Sequence, residues 1–111
     1  MGRQRKQLGQ VRPGGTSAVG LYSPPAGVRA TATCLVVANT TGSATTFGFY
    51  HDDDGATFDQ STALAHGAAI QANETVQFEG QYSGDDPAGW FGVASGVGSA
   101  LTFTLYGYEE T

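Results

Sequence analysis

The residues best equipped for chemistry are His51-Asp52-Asp53-Asp54-Gly55, where an imidazole adjoins three consecutive carboxylates. Oxygen-rich clusters of this kind bind hard divalent cations, calcium above all. A calcium loop of the EF-hand type, however, alternates its ligands and places a glycine sixth and a glutamate twelfth. Counted from Asp52, those positions hold Thr57 and Ala63. Asp52, Asp53 and Asp54 are therefore expected to form a solvated acidic hairpin, with a loosely built calcium site as the alternative. Asp54-Gly55 is itself a strong hairpin-turn pair.

His51 and His66 are the only histidines. Serines and aspartates are plentiful, so counting alone leaves a Ser-His-Asp triad open. No G-x-S-x-G elbow, H-E-x-x-H pair, Walker lysine or G-x-G-x-x-G turn supports an enzyme. Cys34 is the only cysteine, which excludes an intrachain disulfide and a C-x-x-C metal clip. Flanked by Leu35 and Val36, it is expected in the core, as is Trp90 within an apolar run. Tyr106 and Tyr108 share one strand face with Thr102 and Thr104. Exposed tyrosines present large area at small entropic cost, so a subunit interface is expected there, with glycan binding as the sharper alternative.

The elements that must position these groups are strands. The chain has 111 residues, 40% hydrophobic and 14% charged, enough apolar content for one folded domain. Residues 28–39 alternate over a long stretch, and 44–51 set Phe47 and Phe49 on one side with Tyr50 on the other. Residues 75–79 and 101–108 alternate cleanly, and 89–94 are apolar on both faces. With 18–22 and a short return at 57–60, seven or eight short antiparallel strands recur about every ten residues. The expected fold is all-β, a β-sandwich or jelly roll. Residues 80–87 and 95–99 read as loops, and only 61–70 as a helical turn.

Charge is split along the chain. All five basic residues lie in the first 29 positions, and all ten acids fall between Asp52 and Glu110. A basic arm over residues 1–12 and a single β-sandwich domain over 13–111 are expected. Arg3, Arg5, Lys6, Leu8, Gln10 and Arg12 would grip an acidic neighbour, and a neighbour with such a body could be another copy of the chain. A homo-oligomer is therefore expected. The acidic remainder disfavours direct nucleic-acid binding. No stretch approaches the apolar length needed to span a bilayer, and no apolar run of signal-peptide length follows the polar start. Synthesis and folding in a cytoplasm are expected.

Short motifs carry a resemblance. Leu8-Gly9-Gln10 precedes Pro13, then Leu21-Tyr22-Ser23-Pro24-Pro25-Ala26-Gly27, then Val36-Val37-Ala38-Asn39 and Ala44-Thr45-Thr46-Phe47. With Tyr50-His51-Asp52-Asp53-Asp54-Gly55 and Thr62-Ala63-Leu64, this arrangement resembles small virion proteins of tailed bacteriophages over residues 8–80. The resemblance implies a non-enzymatic structural protein of the virion, made in the bacterial host cytoplasm. It further implies a capsid decoration or cement protein, or a tail-tip or fibre-associated one, whose partners are major capsid or tail proteins. A glycan-binding β-sandwich module is the alternative from another class. No cofactor is implied beyond the calcium alternative.

Overall fold

The computed structural model describes residues 3–52, 57–85 and 90–110, which form eight strands. They are β1 (Arg3–Val11), β2 (Val19–Tyr22), β3 (Arg29–Asn39), β4 (Thr45–Asp52), β5 (Ala63–Ile70), β6 (Thr75–Asp85), β7 (Trp90–Ser95) and β8 (Leu101–Glu110). All pairings are antiparallel. β1 pairs with β8, β2 with β7, β3 with β6 and β4 with β5, as in one long hairpin folded at its middle. Additional β3–β8 and β4–β7 pairings roll that hairpin into two sheets, β1-β8-β3-β6 and β2-β7-β4-β5. That winding is the jelly roll.

Burial between the layers holds them together. Leu35, Val37, Leu101, Phe103 and Leu105 of the first sheet meet Phe47, Phe49, Ile70, Phe91 and Val93 of the second, all buried. Phe49 stacks on Phe91 at 5.9 Å and takes the edges of Phe78 at 5.6 Å and Tyr82 at 6.0 Å. Each such pair adds about 0.5–1.5 kcal/mol beyond the burial of area.

Four elements differ from the sequence reading. Residues 3–11, expected as an arm apart from the body, form β1, an edge strand lying along β8. Its polar sequence lacks apolar alternation, but ladder hydrogen bonds need no apolar side chain, and Leu8 and Val11 anchor it against the core. Residues 61–70 are not helical: a short 3-10 turn, Gln60–Thr62, leads into β5. The alanines of β5 pair with β4, a case of tertiary context overriding propensity. Residues 57–60, expected as a strand, approach that turn, and Asp59 caps it by accepting from the Ser61 amide at 2.8 Å. Finally, β6 runs through residues expected as a loop, with the Tyr82 ring lying against Gly80.

A bulge explains a fifth difference. Register shifts between Ala32 and Cys34, so Ala30, Ala32, Leu35 and Val37 all reach the core. Cys34 consequently lies half-buried on the outer side rather than in the core. Trp90 is likewise half-buried, its ring against Gly20, while Phe91 takes the core position.

Gly9 marks a close approach of the layers. A Cβ there would collide with the Leu21 carbonyl oxygen, where β1 passes β2. Gly9→Ala should lower stability by about 1–3 kcal/mol in urea denaturation, the usual cost of overpacking. Gly42→Ala, with open space around it, should stay within about 0.5 kcal/mol. Equal small losses would show that β1 is not held against β2.

Candidate functional site

The expected contact residues lie along β1, paired with β8 from Arg3↔Glu110 to Val11↔Phe103. Near its start, Lys6 Nζ donates to Glu109 Oε1 at 3.3 Å. The other oxygen of the same carboxylate accepts from Tyr22 Oη at 2.6 Å, and Tyr22 belongs to the opposite sheet. One partly buried carboxylate thereby ties β1, β8 and β2 together. Burial, and then the bond to Glu109 and its charge, push the Tyr22 phenol far above its ordinary value.

Past the other end of β1, Arg12 works as a clamp. Its Nη1 donates to Thr40 Oγ1 at 2.8 Å and its Nη2 to the Ser99 carbonyl at 2.6 Å. The Ser99 amide in turn donates to the Pro13 carbonyl at 2.8 Å. Gln10 Nε2 donates to Thr104 Oγ1 at 2.9 Å, and Leu8 packs on the core. Lys6, Leu8, Gln10 and Arg12 thus make contacts within the fold, while Arg5 is exposed opposite Tyr108 and Arg3 opens β1 opposite Glu110.

Of the acidic cluster, Asp52 lies within the described residues. Asp52 is 7% exposed at the end of β4, and its Oδ2 accepts from the Thr57 amide at 2.7 Å, stapling the start of the next segment. Asp53 and Asp54 lie outside the described residues. Among the described residues, no group of three or more histidine, cysteine or acidic side chains could hold a metal. The histidines are placed apart: His51 stacks on the core residue Phe91 at 4.2 Å, whereas His66 Nδ1 meets Tyr50 Oη at 3.2 Å and its Nε2 meets Gln60 Nε2 at 3.3 Å. Burial, and then the charge of Asp59, raise the Tyr50 phenol.

Tyr106 and Tyr108 are brought together as expected, two positions apart on the outer side of the first sheet. Tyr106 is 43% exposed and Tyr108 half-buried. Cys34 stands opposite Tyr106, its thiol pushed up by burial and then by the charge of Glu79.

Sequence reasoning missed Tyr22 and Glu109. A signal was present, because extending the alternation of β8 beyond Tyr108 sets Glu109 on the apolar side with Leu105, where a carboxylate needs a partner.

These two four-stranded layers define the chain as an eight-stranded jelly-roll domain. Among solved structures it is similar to one of the Gt strain of infectious bursal disease virus, with a TM-score of 0.47, 13% identity, and coverage of 96% of this chain and 31% of that one. It is also similar to one of the Gx strain, with a TM-score of 0.42, 12% identity, and coverage of 98% and 40% respectively. The chain therefore spans less than half the length of either. No protein-family model and no curated protein matches it. No helix among the described residues is long and apolar enough to cross a membrane.

Tyr22 gives the rim a pH signature. Its folded-state ionisation lies above the unfolded one, so its contribution to stability is complete below about pH 10 and is lost as pH rises further. The unfolding midpoint should fall above pH 10. Tyr22→Phe should cost about 1.5 kcal/mol at neutral pH and flatten that fall. An unchanged pH curve in the variant would disprove the cross-layer link.

Proposed function

We propose that this chain is a non-enzymatic structural protein of a tailed-phage particle, and specifically a capsid decoration or cement protein that binds the particle surface. The observation that carries this reading is where the reactive side chains go. Asp52 holds a turn, His51 stacks in the core, and Arg12 and Lys6 brace β1. What faces outward is a sheet rim bearing Arg5 and a flat face bearing Tyr106.

The sequence motifs add support. Leu8-Gly9-Gln10 and Leu21-Tyr22, two of the segments that carry the likeness to phage virion proteins, touch each other through Gly9 and Leu21. They form the junction between the two layers. Its partners in this reading are the major capsid or tail proteins, and Arg5 is the contact that favours an acidic partner surface. The tail-tip or fibre location uses the same body with a different neighbour. The exposed Tyr106 supports the rival reading of a glycan-binding module, since aromatic faces also stack on sugars.

Particles lacking the protein provide the test. Added protein should cosediment with them to a fixed stoichiometry, less at high salt, and Arg5→Glu should bind about tenfold more weakly, a difference of about 1.4 kcal/mol. Failure to bind capsids or tails would refute the structural reading. Retention on a glycan array that Tyr106→Ala abolishes would replace it with the lectin-like one.

A further inference from the structure

We propose that copies of this chain join head to tail through the first sheet, with β1 of one copy adding to the free edge of β6 of the next. The inference rests on the strand edges and does not depend on the particle assignment.

The strand count comes first. In the order β1-β8-β3-β6 every neighbour is antiparallel, so β1 and β6 run in opposite directions. A second copy that places its β1 beside β6 continues the antiparallel ladder without a break. Sheet edges present unpaired donors and acceptors, and proteins usually blunt them with short strands, bulges, lysine or proline. The second sheet is blunted in this way: β2 has only 4 residues, and β5 carries register shifts and Gly67 at φ 64°. The first sheet ends in β6, 11 residues long with no lysine or proline, and β1, 9 residues long; each pairing carries one register shift, between Gln7 and Gly9 on β1 and between Tyr82 and Glu79 on β6, which leaves residues 3–7 and 82–85 regular. The one lysine of β1 is engaged with Glu109 and so does not guard the edge.

Charge then chooses between the possible pairings. β1 carries Arg3, Arg5 and Lys6 and no acid, whereas β6 carries Glu79 and Asp85 and no base. Pairing two β1 edges or two β6 edges sets like charges together, which is destabilising, while β1 against β6 sets opposite charges together. The register agrees. The row Arg3–Glu110–Arg29–Asp85 alternates in formal sign across all four strands, so the next position in sequence calls for a positive charge. Arg3 of the following copy supplies it. Counted from Arg3 opposite Asp85, an unbroken antiparallel ladder sets Arg5 of that copy opposite Ser83, on the diagonal from Asp85, and Gln7 opposite Gln81.

Such a contact is heterologous, so it produces a ring if the rotation between copies closes and a filament if it does not. In either case the Tyr106 faces of successive copies lie on one continuous sheet.

Cysteine cross-linking of the full chain tests the pairing. In a Cys34→Ser background, Gln7→Cys combined with Gln81→Cys should give a ladder of disulfide-linked multimers on mild oxidation, and neither single variant should. Those two positions lie on opposite edges of a four-stranded sheet, about 14 Å apart at the usual strand spacing, so they cannot bridge within one chain. Dimers from Gln7→Cys alone, or monomer from the double variant, would overturn the proposal. Sedimentation provides an independent arm. The parent should associate reversibly, Arg5→Glu and Asp85→Arg should each weaken association at least about tenfold, and an equimolar mixture of the two should regain it. A monomeric parent, or a mixture that stays monomeric although both variants give β-type circular dichroism, would also overturn it.

Discussion

Pairing of the first strand with the last is the constraint on which this fold depends. β8 supplies Leu101, Phe103 and Leu105 to the core and is an interior strand only because β1 covers its outer edge. That closure joins residues about a hundred positions apart, a long-range contact whose entropic cost must be met before its ladder contributes. Side-chain anchors fix it at both ends, the Lys6–Glu109–Tyr22 link at one and the Arg12 clamp at the other. The lopsided charge of the sequence follows from this topology. A basic leader meets an acidic last strand because the roll lays one beside the other.

The two layers are built to different ends. In the second sheet, Phe58 lies over Gly92, where any Cβ would collide with the ring, and Asp52 and Tyr50 are buried. Its edges are short or bulged. The first sheet keeps a broad face, with Thr31 bonded to Ser83 at 2.8 Å and Gln10 to Thr104, interactions that order polar side chains without closing the surface. Gly107 serves the same end from the inner side. A Cβ there would strike the Thr31 carbonyl and the Leu8 methyl, so its absence lets β1, β8 and β3 draw together.

Strands with one apolar face were legible in the sequence, because a period of two with Phe and Leu on one side has few other readings. β4, β7 and β8 lie within a residue or two of where alternation put them. Legibility failed where the deciding partner was remote. β1 has no apolar alternation, and only the unpaired edge of β8 explains why it is a strand. β5 is rich in alanine and acquires its conformation from β4. The bulge near Thr33 exchanges faces within β3, an event that no local pattern announces. At the acidic turn, adjacent carboxylates look alike in sequence, and the Thr57 amide that engages Asp52 becomes visible only in the fold.

The Glu109 site shows how the body and its rim are coupled. Lys6, exposed itself, donates to a carboxylate that also receives Tyr22, and Arg5 is exposed one position before it on β1. A partly buried carboxylate with only one of these donors would leave an oxygen short of a partner, a cost larger than the gain from an exposed ion pair. The internal network therefore holds β1 in register while its charges face outward. An edge fixed in this way meets another strand without first having to order, which lowers the entropic cost of association. A free basic arm would need to recover that cost from its partner at every contact.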